Sequence, residues 1–203
     1  MLTIWGRLNS HNVKKVAWLA VELGLRFDRI DVGGRFGMDA AYLAKNPNGL
    51  IPTIEDGRVT LWESNAILRY LAAQYGGARW WPDDPAIRAL GDRWLDWQFT
   101  YADAQRPAFK ELIRTPERER DQAAIATSVA ACAKELEVLE RYLSEAPWLS
   151  GADFGIGDIP MGIYAWTWFN LPIERPALPA FADWYARIRE RPGFAEQVGI
   201  PLS

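Results

Sequence analysis

The dipeptide Asp56-Gly57 lies between two short apolar segments, residues 52–55 and 58–62, and commits this stretch to a hairpin. A glycine there supplies the positive φ that a tight turn between antiparallel strands requires. Upstream, residues 2–5 read as a strand, and Val16, Ala17, Ala20 and Leu23 recur at helical spacing until Gly24. Residues 27–32 alternate as a second strand, and a glycine-rich exit leads to a short helix over 38–45. Ser64 reads as the N-cap of a further helix whose buried face carries Ile67, Tyr70, Leu71 and Tyr75. The order βαβαββα places a small mixed sheet among helices, an α/β arrangement.

Beyond a turn-rich linker over 76–84, no further strand pattern occurs. Asp84-Pro85 opens a long helix lined by Ile87, Leu90, Trp94, Trp97 and Tyr101, and Thr115-Pro116 repeats the start signal. Ile125, Val129, Cys132, Leu136, Leu139 and Leu143 line a second long helix. Shorter helices are expected over 158–169, 179–190 and 193–198, completing an all-α bundle. The expected domains are therefore 1–78 and 85–203.

Net charge narrows the partners. With 203 residues, 49% hydrophobic, the chain can bury a core, while a formal charge of -3 with both signs interspersed offers no field for nucleic acid. A single cysteine, Cys132, and a single histidine, His11, preclude a disulfide framework or a zinc cluster within the chain, so no metal is expected. Residues 1–5 lack a basic stretch followed by a long apolar one, and no apolar run reaches membrane-spanning length. The expectation is a soluble, cytoplasmic protein that does not engage a membrane.

The block Asn46-Pro47-Asn48-Gly49-Leu50-Ile51-Pro52-Thr53-Ile54, followed by Leu61-Trp62-Glu63-Ser64-Asn65, carries the chemical signal. A cis Ile51-Pro52 bond would turn the N–H and C=O of Ile51 outward, where an extended peptide could pair with both. Ser64 at a helix start suits a carboxylate, and Glu63 can accept from an ammonium. A peptide with both groups at one end fits, and glutathione, γ-glutamyl-cysteinyl-glycine, has that layout. Its thiol would lie near Asn9-Ser10-His11-Asn12, where hydrogen-bond donors at a helix start lower a thiol pKa by about two pH units, or ~2.7 kcal/mol. The Ser10 hydroxyl and Asn12 amide are both suitable donors. Taken singly, each of these features is also an ordinary cap or strand start; their joint order is what points to a site.

These segments resemble the glutathione-binding half of the soluble glutathione transferase superfamily, and the whole chain follows its two-domain order. The resemblance implies a thioredoxin-like N-terminal domain and a helical C-terminal domain that shapes a pocket for an apolar co-substrate. It implies that Pro52 is cis, that the Ile51 backbone holds the cysteinyl moiety, and that Glu63 and Ser64 hold the γ-glutamyl end. Ser10 matches the catalytic serine of theta-like and zeta-like members, and Asn12 the asparagine of nu-like ones. Thiolate attack on an apolar electrophile is the implied activity, with glutathione-dependent disulfide reduction or a non-catalytic binding module as alternatives, and a homodimer as the assembly. Two departures stand out. Leu50 replaces a Gln or Lys that touches the glycyl end in many relatives, leaving that contact to the backbone, Lys45 or Arg35. In Gly155-Ile156-Gly157-Asp158 a helix-capping serine is missing, an expected cost of about 0.5–1 kcal/mol.

Trp94, Trp97, Trp166 and Trp168 have helical spacing, and core packing accounts for at least half of these four; Trp94, Trp97 and Trp166, with Tyr101, are the candidates for walls of the co-substrate pocket. Cys132 falls in an apolar stripe and reads as a buried small hydrophobe.

Overall fold

A computed structural model describes residues 1–203. The chain forms two compact units, residues 1–88 with 191–200, and residues 89–190 with 201–203.

The first unit is built on β1 (Leu2–Trp5), α1 (His11–Glu22), β2 (Phe27–Ile30), α2 (Ala40–Lys45), β3 (Thr53–Asp56), β4 (Val59–Trp62) and α3 (Ser64–Tyr75), the βαβαββα order expected. Its sheet runs β2-β1-β3-β4, with β1 and β2 parallel and the other neighbours antiparallel. Asp56 pairs with Val59, so the hairpin loop is Gly57-Arg58, and only its glycine has positive φ. That places the glycine first in the loop, as a type II′ turn requires, one position earlier than an Asp-Gly loop would. Ile4 and Ile54 at the centre of the sheet are fully buried, as are Val16, Ala17, Ile67 and Leu71 from α1 and α3.

The linker expected over 76–84 contains a single helical turn, α4 (Gly77–Trp80). The last helix, α9 (Pro192–Gln197), packs in the first unit rather than in the helical unit to which the sequence assigned it. Its Phe194 meets Trp18 edge to face at 5.4 Å, and Gly193 fits only because a Cβ there would lie 2.4 Å from Trp18 Cδ1. Arg191 forks onto Glu22 at 2.6 and 3.1 Å, and the buried Lys14 donates to the Val198 carbonyl at 3.0 Å. Short apolar helices near a chain end give no sequence cue to which core they join; here Trp18 decides it.

The second unit consists of α5 (Pro85–Phe109), α6 (Gln122–Leu143), α7 (Asp158–Asn170) and α8 (Pro179–Arg189). The start of α6 lies later than Thr115-Pro116 suggested: Pro116 leads into a 3-10 turn, and Asp121 caps α6 by accepting from Ala124 N–H. Within α5, Pro107 removes one backbone donor. The Ser128 hydroxyl bridges nearby, accepting from Ala108 N–H and donating to the Ala104 carbonyl. Cys132 is buried, and desolvation pushes its thiol up to about 12, so it is a packing residue. No helix is long and apolar enough to cross a membrane.

The cap of α7 corrects the expected weakness. Gly155 has no room for a serine, since a Cβ would sit 2.8 Å from Ser150 Cβ and Oγ, and it is the Ser150 hydroxyl that accepts from Gly157 N–H. Asp158 is not a simple cap but a fully buried hub that accepts from the N–H groups of Leu149, Ser150 and Gly155 and from Trp184 Nε1, at 2.7–3.2 Å. Removing its carboxylate strands these donors inside the unit. Asp158→Ala should lower stability by about 3 kcal/mol or more, read as a drop in denaturant midpoint at unchanged slope.

Candidate functional site

Two helix starts and one loop of the first unit converge on a cleft lined by Asn12, Asn46, Asn48, Leu50, Ile51, Pro52, Glu63 and Ser64. The loop is organised by Asn46, which is buried although it sits among turn residues. Its amide donates to the Leu50 carbonyl and Thr53 Oγ1, and its Oδ1 accepts from the backbone and side chain of Asn48. Tyr42 braces the same carbonyl and Thr53 from below. The Ile51-Pro52 peptide bond is cis, and the backbone N–H and C=O of Ile51 make no hydrogen bond within the chain.

Gly6 keeps Ile51 in place by its smallness. It has φ +148, and a Cβ there would lie 2.5 Å from Val13 Cγ2 and 3.2 Å from Ile51 Cβ. Any side chain would push the loop off α1.

At the start of α3 the sequence reading needs correction. Glu63, not Ser64, occupies the N-cap position, and with φ 72 it is the one non-glycine residue in the left-handed region. Such a conformation at a cleft is commonly tied to what the site must present. Ser64 is the first helical residue and is buried, so its hydroxyl faces α1, donating to Asn12 Oδ1 at 3.3 Å. Beneath them lies Lys15, with no exposed surface, its Nζ donating to Ser64 Oγ at 3.4 Å and Asn65 Oδ1 at 3.2 Å. Burial pushes the Lys15 amine down to about 7, against the pull of the Glu63 carboxylate. The dipole at the start of α3 adds to a local preference for an anion.

Family models match both units: glutathione S-transferase, N-terminal domain, over residues 9–74, and glutathione S-transferase, C-terminal domain, over residues 98–192. The chain is 45% identical over its whole length to glutathione S-transferase GstB of Escherichia coli, also covered in full. The chain belongs to the glutathione S-transferase family. Its fold superposes with a TM-score of 0.95 on the crystal structure of the theta class glutathione S-transferase from Xanthomonas axonopodis pv. citri with glutathione bound, at 50% identity, covering 100% of this chain and 99% of that one. A more distant relative, the disulfide-bond oxidoreductase YfcG of Escherichia coli, is 28% identical, over 84% of this chain and 81% of its own.

In this transferase the candidates expected from sequence separate into groups. Asn12, Ile51, Pro52, Glu63 and Ser64 share the cleft. Ser10 does not line it; Ser10 is the N-cap of α1, its carbonyl accepting from Lys14 N–H while its hydroxyl makes no cap bond. Lys45 is not among the lining residues either, because its amine pairs with Glu55 at 2.7 Å and lies over the Trp5 ring. Arg35 is exposed in a 3-10 turn, stacked over Phe36. In the helical unit, Trp94 and Tyr101 are core residues, 5% and 0% exposed, which argues against either being a pocket wall. Trp94 packs edge to face on Trp97 and Tyr142, and the Tyr101 hydroxyl accepts from Gln105. Trp97 and Trp166 keep part of their surface exposed.

Lys15, Asn46 and Gly6 are the residues that sequence reasoning missed. Lys15 looks like the polar face of an amphipathic helix, yet every residue from Val13 to Ala20 is buried. Only the packing of α3 and α9 on both sides of α1 reveals this.

Two outcomes follow from these contacts. Asn46→Ala should cost about 2 kcal/mol, since it leaves the Leu50 carbonyl and Thr53 hydroxyl short of a donor, and chemical denaturation reads this directly. For Lys15 the folded amine titrates near 7 and the unfolded one near 10.5, so between these values the unfolded chain binds the extra proton and stability rises with pH. Lys15→Met should flatten that rise in the thermal midpoint between pH 7 and 10, leaving the smaller part due to Lys14, which burial pushes down to about 8.

Proposed function

We propose that the cleft binds glutathione and activates its thiol for attack on an apolar electrophile. The observation that carries this is the meeting, in one cleft, of the unpaired Ile51 backbone, the start of α3 and the Asn12 side chain. An extended cysteinyl residue pairs with Ile51 across the cis Ile51-Pro52 bond, and the γ-glutamyl end lies at Glu63 and Ser64, its ammonium on the former and its carboxylate on the latter. Glutathione bound in the Xanthomonas enzyme supports this reading.

The thiolate donor is Asn12 rather than Ser10. Asn12 lines the cleft and uses its Oδ1 to accept from Ser64, which leaves its amide N–H groups to donate to sulfur. A donor aimed at the anion lowers the thiol pKa without acting as a base. Residues 1–78 thus form the glutathione-binding domain, and the helical domain contributes the electrophile's apolar wall through the exposed faces of Trp97 and Trp166, with Trp94 backing Trp97. The glycyl end is held by backbone groups of the loop, since Lys45 is engaged with Glu55. The assembly is a cytoplasmic homodimer that needs no metal.

Disulfide reduction is the second reading. The likeness to the disulfide-bond oxidoreductase and the position of Asn12 favour it, because a stabilised thiolate can also attack a disulfide sulfur.

Tryptophan fluorescence should show saturable glutathione binding. With 1-chloro-2,4-dinitrobenzene and, separately, a small disulfide as co-substrates, Asn12→Ala should lose about 10²-fold in kcat/KM and Ser10→Ala less than about fivefold. Equal losses would return Ser10 to the site, and unchanged turnover in both would falsify a thiolate role at the start of α1.

A further inference from the structure

A lysine ammonium is costly to bury, and a hydrophobic residue of similar volume in its place is often neutral or stabilising. Lys15 is nevertheless fully buried, in the middle of α1, at the point where that helix meets the first turn of α3. Its Nζ reaches the side chains of two successive α3 residues, Ser64 and Asn65, and it lies within the electrostatic reach of Glu63. These are the residues at which the cleft offers a hydroxyl, helix N–H groups and a carboxylate. A ligand oxygen that takes the place of Asn12 Oδ1 as acceptor of the Ser64 hydroxyl would sit roughly 6 Å or less from Nζ, two hydrogen-bond lengths away. At that range a charge inside protein acts strongly on another, whereas an exposed one would be screened.

Resting on the reading that this cleft holds glutathione, we propose that Lys15 is a positioning residue that selects ligands with a free α-carboxylate at the γ-glutamyl end, its buried amine, protonated opposite that incoming carboxylate, acting on it through Ser64 and Asn65. Glu63, exposed on the outer side of the same turn, is left to receive the α-ammonium, so the two charges of one amino-acid terminus are read by two residues of opposite sign.

The alternative is that Lys15 only ties α1 to α3. The two roles differ in what they do to ligands. Dissociation constants should be measured by tryptophan fluorescence and calorimetry for glutathione and for 4-aminobutanoyl-cysteinyl-glycine, which keeps the amine and lacks the α-carboxylate. The proteins are wild type, Lys15→Gln, which retains polar contacts without the charge, and Lys15→Arg, which retains the charge. Lys15→Gln should weaken glutathione roughly ten- to a hundredfold and leave the decarboxylated peptide within about twofold. Lys15→Arg should recover most of the glutathione affinity. Unchanged glutathione affinity in Lys15→Gln overturns the proposal, as does equal weakening of both peptides, which is the mark of a structural tie. A wild type that binds neither peptide overturns the assignment of the cleft itself, and this role with it.

Discussion

The Lys15 amine ties the body of α1 to the start of α3, which the chain separates by about fifty residues. Through Ser64 it also reaches Asn12, so the groups lining one wall of the cleft are joined in a single hydrogen-bonded row from α1 to α3. The opposite wall is the Asn46 loop, held against α1 by the absence of a side chain at Gly6. Polar groups in such a row are mutually satisfied, which lets them be buried at tolerable cost and keeps their orientation fixed. A cleft preorganised in this way spends little on rearrangement when a charged peptide enters.

The helical unit uses the same device for a different end. Asp158 collects four donors from the loop before α7 and from α8, and Glu140 of α6 accepts from the first N–H groups of α8. Close backbone approach does the rest. A Cβ on Gly157 would lie 2.6 Å from the Gly91 carbonyl oxygen, so α5 and the start of α7 touch where both lack side chains. The aromatic residues then divide by burial, with Trp94, Tyr101, Trp168 and Trp184 inside the unit and Trp97 and Trp166 at its surface.

Much of the fold was legible because its signals are local. The hairpin glycine, the helical spacing in α1 and α3, and the Asp84-Pro85 start of α5 depend on a few neighbouring residues, and each element appeared within a few positions of its expected place. The start of α6 was misplaced because Thr115-Pro116 is as good a cap on paper as Asp121, which gains its advantage from Glu111 accepting its N–H across the turn. The candidate site was legible in part for the same reason. Asn12, Ile51, Pro52, Glu63 and Ser64 lie in short stretches whose chemistry is readable, whereas the pairing of Lys45 with Glu55 joins residues that no spacing rule selects.

The sequence by itself determined the order of elements, the family, and the stretches that form the cleft, since periodicity, turn residues and motif spacing are properties of contiguous residues. Tertiary structure alone decided that α9 joins the first unit, that Ser64 turns inward to Asn12 instead of capping its helix, and that Lys15 is buried. Each of these depends on which faces of distant helices meet. A residue's solvent exposure and partners are set by that meeting, and the linear order of the chain does not encode it locally.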